Sequence, residues 1–338
     1  MFSLDDTLRR EGASSRFRRG GRTGLVRNPM SRRNRTGRGH AWWRDMGHPE
    51  LIRAEPGTPD ELLHTLKEFA RREVGFLVVD GGDGTVREVL SALPEAYGDH
   101  PPALAVLASG TTNVIAADVG AGRADPATIA MLGRIARSGQ RAAKVQRRAT
   151  VEISWADGSR APISGMFVGA AAFTRATDVS HRLVRQGGVE EGAGVAVTLL
   201  SSMAKTLAGP EKERWLQGDP IGLALDGGEM TTHPRFVVLA TTLHKLMLGI
   251  WPFWGEGEGA LRYLDVAGSP QRLASALPAV LRGRPRKWMA EEGYVSGRAS
   301  SLDLTLTEPF VVDGEHFDPG PGGQVRLRTG QSIDFIVP

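Results

Sequence analysis

Apolar residues in the first part of the chain alternate between short continuous runs and a helical spacing. Gly24-Leu25-Val26 is a short run that ends at Asn28-Pro29, which predicts a strand followed by a loop. From Thr58 the sequence has proline and acidic residues in a first helical turn, and apolar residues then recur three and four positions apart. A helix is therefore predicted from Thr58 to about Arg72.

The order of strand, polar turn and helix then occurs twice. Phe76–Val79 is a continuous apolar run that predicts a strand buried on both faces, and a glycine-rich turn joins it to a helical spacing over Val86–Leu93. Ala103–Leu107, a second polar turn and the start of a helix at Val114–Val119 repeat this order. Alternating strands and helices predict a parallel sheet covered by helices.

The pattern changes after Ala143, where short and often alternating apolar segments are separated by Gly, Asp or Pro. They predict a mostly β second domain that begins near residue 145. Two further stretches, Val195–Leu207 and Gln271–Leu281, have helical spacing. The predicted strands are Ala149–Trp155, Ile163–Val168, Ile221–Leu225, Arg235–Ala240, Leu302–Thr307 and Val325–Arg328.

Length and composition agree with two folded domains. The 338 residues fit two domains of about 100 to 200 residues each. The absence of cysteine excludes disulfides and cysteine-ligated metal sites. Neither a secretory signal nor an apolar run of about 18 residues is visible, so a cytoplasmic protein that does not span the membrane is predicted.

Positive charge is concentrated at the N-terminus. Residues 1–40 hold eleven arginines against Asp5, Asp6 and Glu11, a net charge of +8, whereas the whole chain has +4. The arm at residues 1–21 is therefore interpreted either as a solvated tail or as a segment that meets anionic lipid, nucleotide phosphate or nucleic acid. No nucleic-acid-binding module accompanies it, so no nucleic-acid partner is predicted.

The turn Asp80–Thr85 has the residues of a phosphate site. Glycines between a strand and a helix let phosphate oxygens approach unpaired backbone N–H groups at the helix start. Asp83 in this turn suits either a Mg²⁺ ion that bridges phosphates or a proton acceptor for an attacking hydroxyl. A tight turn with no ligand would need the same glycines. The second turn, Ser109–Asn113, also follows a strand, and ligands in such sheets bind where neighbouring strands end.

Three separated motifs resemble those of one family. They are Asn28-Pro29-Met30-Ser31; Gly81–Thr85 with Gly110-Thr111-Thr112-Asn113 downstream; and Val312-Asp313-Gly314-Glu315. In order and spacing they resemble the diacylglycerol kinase catalytic family, which includes bacterial lipid kinases and the sphingosine and ceramide kinases. The resemblance covers about residues 24 to 337.

The resemblance implies an α/β nucleotide-binding domain of the NAD-kinase and phosphofructokinase type at residues 22–144, followed by a β-sandwich domain at residues 145–338 that takes the lipid and returns its C-terminal segment to the cleft. It implies ATP as phosphoryl donor, Mg²⁺ as cofactor, and a lipid alcohol such as diacylglycerol or ceramide as acceptor. The protein would then act at the inner face of the membrane, in peripheral contact with it. The implied nucleotide-binding residues are Asn28, Ser31, Gly81, Gly82, Asp83, Gly84, Thr85, Gly110, Thr111 and Asn113.

By the same resemblance, a carboxylate of the C-terminal motif serves as general base on the lipid hydroxyl. Glu315 and Asp313 are the first candidates, and Asp83 is their rival. Taken alone, Asp313-Gly314-Glu315 is equally typical of a plain hairpin turn. The oligomeric state is left open, a homodimer included.

The sequence departs from the family pattern at several positions. An arginine-rich stretch, residues 32–37, stands where the family has glycines, so guanidinium groups are expected to contact phosphate there. Ser109 stands where a proline is usual, and Val114 where an aspartate is usual. The Asp-Gly that helps to hold a structural Mg²⁺ corresponds to Glu258-Gly259, which makes Glu258 the predicted metal ligand.

Two apolar segments suggest contacts with lipid. Leu246–Trp254 is interpreted either as a lip that meets the membrane or an acyl chain, or as ordinary core. Gly165–Phe173 could line an acyl pocket or pack against a neighbouring sheet. His181 and His244 appear isolated along the chain, and no catalytic role is predicted for them.

Two other functions agree with parts of the sequence. An NAD kinase shares the Gly-Gly-Asp-Gly-Thr loop, although the motifs at residues 110–113 and 313–315 resemble the lipid-kinase forms. A regulator that binds nucleotide or lipid without catalysis would agree with the departures at Ser109 and Glu258.

Overall fold

The computed structural model of the protein describes residues 21–35, 51–123, 125–139, 143–185 and 212–338. The predicted basic arm, apart from Gly21, lies outside the described residues, as do the predicted helix at residues 195–207 and the end of the arginine-rich stretch, Thr36 and Gly37.

The described residues form sixteen strands and eight α-helices. The strands are β1 Thr23–Arg27, β2 Leu51–Ala54, β3 Phe76–Gly81, β4 Ala103–Ala108, β5 Gly122–Arg123, β6 Lys144–Trp155, β7 Ile163–Gly165, β8 Phe167–Ala171, β9 Asp219–Leu225, β10 Thr231–Thr241, β11 Leu261–Ala267, β12 Tyr294–Ala299, β13 Ser301–Thr305, β14 Phe310–Val312, β15 Glu315–Phe317 and β16 Gln324–Val337. The helices are α1 Arg32–Arg35, α2 Pro59–Arg71, α3 Asp83–Tyr97, α4 Val114–Val119, α5 Pro126–Ser138, α6 Ala172–Arg185, α7 Lys212–Gln217 and α8 Leu273–Leu281.

The first part of the chain is a parallel sheet between helices. Neighbouring strands run in the order β4, β3, β1, β2, and all of their pairings are parallel. The side chains of β3 are buried on both faces, as its apolar run predicts. Helices α2 and α3 cover one face and α5 covers the other. Helix α2 begins where predicted, since Thr58 accepts a hydrogen bond from the N–H of Glu61 and Pro59 occupies the first turn.

The second part is antiparallel and rich in strands. Strands β13, β9, β10, β8, β14 and β15 follow one another by antiparallel pairing, and β6 and β7 join through β16. Alternating positions of these strands enclose an apolar core of their own, as in β13, where Leu302 and Leu304 are buried. The predicted fold class, an α/β part followed by a β-rich part, is thus confirmed.

One strand joins the two parts. The first half of β16 lies between β13 and β6, and near its end Phe335 pairs in parallel with Leu104 of β4. Phe335 is fully buried. The C-terminal strand therefore completes both sheets.

The sequence analysis missed elements that bear on the site, among them strand β11 and helix α6. It predicted a single strand at residues 163–168, whereas the structure has β7, then β8, and then the 14-residue helix α6. Ala171, with a φ of 60°, marks the change from strand to helix. Within the described ranges, no helix is long and apolar enough to cross a membrane.

Candidate active site

Three loops meet where β1, β3 and β4 end. The N–H of Asn28 donates to the carbonyl of Asp80 over 2.9 Å, and the Asn28 amide donates to Oγ1 of Thr85 over 2.9 Å. The N–H of Ser109 donates to the carbonyl of Gly81 over 3.0 Å. All three loops named by the sequence motifs are thus held together at the carboxyl ends of adjacent parallel strands, where such sheets bind ligands.

The two glycine loops touch through their backbones. A Cβ atom at Gly82 would lie 2.9 Å from the Cα of Gly110, and one at Gly110 would overlap Gly82. Asn113 holds the second loop from both sides, because its amide accepts from the N–H and donates to the carbonyl of Gly110. The result is a close contact between the two loops that only glycine permits, at the start of α3 and just before α4.

Ser31 and Asn34 fix the first loop. Oγ of Ser31 and the amide of Asn34 both donate to the carbonyl of Asn28, over 3.0 and 2.8 Å. Ser31 and Asn34 are both buried, with less than a tenth of their surface exposed to solvent. Ser31, predicted to line the nucleotide pocket, is thus engaged in shaping the loop that carries Asn28.

Asp83 ties the two glycine loops together. Its carboxylate accepts the N–H of Val114 over 2.9 Å and the N–H of Ile115 over 3.1 Å, at the start of α4. Burial raises its pKa to about 6, although these backbone hydrogen bonds pull the pKa downward. Because the contact at Val114 is made by the backbone, the missing aspartate at that position leaves the loop intact.

Asp80 and Ser109 form a buried pair that sequence reasoning missed. The Ser109 hydroxyl donates to Oδ1 of Asp80, and the guanidinium of Arg27 lies 3.6 Å from Oδ2. Burial raises the pKa of Asp80, while Ser109, Asn34 and Arg27 oppose that rise. Ser109, which stands where the family usually has proline, therefore supplies a hydrogen-bond donor to Asp80, the aspartate that precedes the glycine motif.

The turn that carries Asp313 is both a hairpin and part of the site. Asp313 and Gly314 have φ values of 48° and 88° and join β14 to β15, as an Asp-Gly hairpin turn requires. The Asp313 carboxylate accepts the N–H groups of Met166 and Phe167 over 2.9 to 3.2 Å. Burial, with the nearby charge of Asp83, raises the pKa of Asp313 to about 7.

Glu315 reaches across to the first domain. Its Oε2 accepts from Arg87 of α3 over 2.5 Å, while a Cβ atom at Gly84 would overlap its Oε1. Arg87 is buried and its guanidinium also lies over the ring of Phe317, 5.0 Å from the centroid. Arg87 is a functional residue that the sequence analysis missed, although its place one turn after Asp83 on a predicted helix was a usable signal.

A cavity of about 650 Å³ begins at these residues. One end is formed by Gly82–Gly84, Thr111 and Asp313–Glu315, and the rest is walled mainly by apolar side chains of α6, β10, β11, residues 246–252 and α8. The site residues that share this end of the cavity come from positions more than 200 apart in the sequence. The largest apolar wall residues include Phe167, Phe173, Phe236, Leu264, Leu277 and Leu281.

The two apolar segments singled out by sequence both contribute to this wall. Phe167, Ala172 and Phe173 come from the end of the first segment, and Leu246, Met247, Ile250 and Pro252 come from the second. In the second segment Phe253 is buried, whereas Leu248 is half exposed. The segment is thus partly wall, partly core and partly surface.

The two histidines differ in their surroundings. His181 lines the cavity and lies edge-on to His316, which contacts Asp178 over 3.2 Å, so it is not isolated in space. The backbone N–H of His244 donates to buried Asp118. Burial lowers the pKa of the His244 ring, with Arg148 and Arg262 adding to the effect.

Glu258 lies apart from the site. It is exposed in the loop before β11, where Arg298 donates to the carbonyl of the next residue, Gly259, and it does not line the cavity. In the described part of the chain no three His, Cys, Asp or Glu side chains gather as metal ligands. The predicted metal role of Glu258 thus has no partner residues in the structure to support it, and it stays a prediction.

Comparison with known proteins agrees with the motifs. Residues 25–147 match the family model of the diacylglycerol kinase catalytic domain. The resemblance predicted from the sequence is confirmed over this segment, which contains the loops at Asn28, Gly81–Thr85 and Gly110–Asn113.

Individual relatives are similar over short segments. The chain is 42% identical over 65 residues to a diacylglycerol kinase of Bacillus subtilis strain 168, and 41% identical over 60 residues to the probable lipid kinase YegS of Escherichia coli O127:H6. These matches span 21% and 20% of the relatives' own lengths.

A solved structure shows the same fold over nearly the whole chain. The structure of a diacylglycerol kinase from Bacillus anthracis str. Sterne aligns with 95% of this chain and 97% of its own, with a TM-score of 0.58 and 16% sequence identity. At that identity the likeness establishes the fold.

Proposed function

We propose that this chain is an ATP-dependent kinase that transfers the γ-phosphoryl group of ATP to the hydroxyl group of a lipid. The observation that carries the proposal is the cavity, which joins the two glycine loops to an apolar chamber through a turn that bears two carboxylates. An acceptor with a long apolar part fits such a chamber, since ligand pockets match the polarity of what they bury.

Asp313 is the residue we assign as general base. The hydroxyl oxygen of the lipid attacks the γ-phosphorus, the bond from that phosphorus to the bridging oxygen breaks, and ADP leaves. The hydroxyl proton passes to the Asp313 carboxylate. With a pKa of about 7, this group is ionised in a useful fraction at neutral pH and is basic enough to take the proton.

Asp83 and Glu315 receive other roles. Both oxygens of Asp83 accept N–H groups of α4, so this side chain positions the two glycine loops relative to each other. Glu315 fixes Arg87 beside Gly84, where the helix start and a guanidinium can neutralise phosphate charge. Such positioning and charge neutralisation supply most of the catalysis in phosphoryl transfer.

The residues at this end of the cavity suit a nucleotide better than they suit a metal ion held by protein ligands alone. At Gly82, Gly84 and Gly110 a Cβ atom would meet the neighbouring loop or the Glu315 carboxylate, so glycine is needed there for the loops to close around the end of the cavity that Gly82–Gly84 and Thr111 line. For Mg²⁺ the described residues offer chiefly Glu315, whose Oε2 accepts from Arg87 while its Oε1 accepts from none of them. Mg²⁺ usually takes one or two carboxylates plus phosphates and water, and bound there it would neutralise charge on the nucleotide.

The proposal is tested by incubating the purified protein with Mg²⁺, ATP labelled in its γ-phosphoryl group and a panel of acceptors. The panel contains diacylglycerol, ceramide, a sphingoid base, undecaprenol and NAD. Label is expected in a lipid and absent from NAD. Label in NAD alone would establish the NAD-kinase alternative, and label in no acceptor would contradict a kinase.

A further inference from the structure

Four cations are exposed in the loop between α8 and β12. Arg282, Arg284, Arg286 and Lys287 lie within six residues, and each is exposed. Among the described residues none of the four forms an ion pair with a carboxylate, and Glu292 further along the loop is engaged by Arg272 over 3.3 Å. The loop therefore presents concentrated positive charge to solvent.

An exposed apolar turn lies beside this cationic loop. Leu248 is 49% exposed and has a left-handed backbone, with φ 57° and ψ 19°. A β-carbon disfavours this conformation, and it is followed by Gly249, also at positive φ. The turn thus presents about half of an apolar side chain to solvent.

One hydrogen bond and a close backbone approach hold the chain after the turn beside the start of the loop. The N–H of Trp251 donates to the carbonyl of Leu281 over 2.8 Å, and a Cβ atom at Gly283 would lie 2.6 Å from the carbonyl oxygen of Trp251. Leu248 is three residues before Trp251, so its Cα lies within about 11 Å of that contact. The chain after Leu248 thus contacts the chain at the start of the cationic loop.

Both segments adjoin the wall of the cavity. Met247 and Ile250 flank Leu248 and line the cavity, as do Val280 and Leu281, which precede the cationic loop. The exposed turn and the start of the cationic loop are therefore continuous in the chain with segments that line the apolar chamber.

We propose that Leu248 and the cationic loop 282–287 form a docking surface for a membrane rich in anionic phospholipid. The charges attract anionic headgroups, and the leucine enters the acyl boundary, a combination typical of interfacial membrane contacts. Nucleic acid would satisfy the charges and leave the apolar turn unexplained. The surface acts in recruitment, so it exists whether or not the proposed phosphoryl transfer occurs.

The charge is tested by vesicle co-sedimentation in low salt and without ATP. The probes are vesicles of phosphatidylcholine alone or with phosphatidylglycerol. A variant with all four cations replaced by glutamine should bind the anionic vesicles about 100-fold more weakly or worse, since each near-surface cation contributes roughly five-fold. A control variant loses the same charge elsewhere, through Arg71, Arg72, Arg134 and Arg137 changed to glutamine, and should bind within about three-fold of the parent.

The apolar turn is tested by Leu248→Gly. Glycine accepts the left-handed backbone, so thermal stability should not fall, whereas vesicle binding should weaken about ten-fold. Equal binding of the parent and the four-glutamine variant overturns the proposal. Loss of binding to a DNA oligonucleotide with unchanged vesicle binding does so as well, because it makes the surface a nucleic-acid site.

Discussion

Three carboxylates stand within one site, and their surroundings give them different chemistry. Asp83 and Asp313 are buried and accept backbone N–H groups, whereas Glu315 is about half exposed and paired with Arg87. Burial raises the pKa of Asp83 to about 6 and of Asp313 to about 7. Carboxyl groups whose pKa values are set apart by burial can divide positioning and proton transfer between them.

Asp313→Asn should remove the proton acceptor. We expect kcat to fall by roughly 10² to 10⁴. In the parent, kcat should rise with pH and level off above about pH 7, because only the ionised carboxylate accepts the proton, and the variant should lose this rise. Asp303→Asn, the same change at a surface ion pair with Arg326, serves as control. An unchanged pH profile in Asp313→Asn would assign the base elsewhere.

Gly84→Ala should displace Glu315. The new methyl group would occupy the position of Oε1, and the carboxylate would have to leave Arg87. Since Ala favours a helix more than Gly, stability should change little, while kcat/KM should fall about 10- to 100-fold. Gly57→Ala, whose Cβ would meet only Glu61 at 3.4 Å, is the control. Full activity in Gly84→Ala would mean that the position of Glu315 is unimportant.

At the scale of elements, α6 supplies one wall of the cavity. Its lining residues recur at helical spacing, which is why one face of the helix meets the chamber and Thr177 and Ser180 lie among apolar neighbours. The helix follows β8 directly and packs against the hairpin that bears Asp313. The chamber and the proposed base are therefore held by the same elements.

Ala176→Phe should shorten the chamber. Ala176 is buried and lines the cavity, so a ring there takes space from an acyl chain. We expect kcat/KM to fall at least about ten-fold for a long-chain lipid and to stay within a few-fold for a short-chain analogue. Ala127→Phe adds the same ring at an exposed position of α5 and should affect neither substrate. Equal losses for both chain lengths would contradict an acyl-binding chamber.

At the scale of the whole molecule, β16 couples the two parts. It pairs with β6 and β13 in the strand-rich part and with β4 in the parallel sheet. The hairpin that carries Asp313 and Glu315 lies shortly before it in the chain. The distance between the carboxylates and the glycine loops thus depends on how β16 pairs with β4 on one side and with β6 and β13 on the other.

Phe335→Ala should weaken the packing of β16 beside β4. Phe335 has no exposed surface, so truncation leaves a cavity and should lower the free energy of unfolding by about 3–5 kcal/mol. The measurement is urea denaturation. Gln324→Ala, at an exposed position of the same strand, should stay within about 0.5 kcal/mol of the parent. A small effect of Phe335→Ala would show that β4 and β16 are held by other contacts.

Stability should fall as pH rises through the range set by the buried carboxyl groups. Asp83 and Asp313 have raised pKa values, so between about pH 4 and 7 the folded state binds more protons than the unfolded state. Their contribution is greatest below pH 4 and is lost as each group ionises. Asp313→Asn mimics the protonated form, and its stability relative to the parent should increase from pH 5 to pH 8 by about 1 kcal/mol or more. Parallel pH curves for the two proteins would contradict the raised pKa.

Local pattern predicted most of the α/β part. The strands β1, β3 and β4 and the helices between them follow from apolar runs, helical spacing and turn residues that act within about ten positions. Helix α6 was missed although its apolar and polar positions separate at helical spacing, because the apolar run of β8 leads into it directly and without a turn residue. The order of the strands in the second part was also beyond the sequence, since pairing depends on distant partners.

The motifs likewise identified residues that the structure brings together, at the ends of β1, β3 and β4 and at the turn between β14 and β15. The sequence left open which of the three carboxylates accepts the proton and which of them position other groups. The roles that we propose rest on contacts such as Asp313 with Met166, 147 positions away, and Glu315 with Arg87, 228 positions away. Burial and charge set a carboxyl group's pKa, and both arise from residues that only tertiary structure brings near.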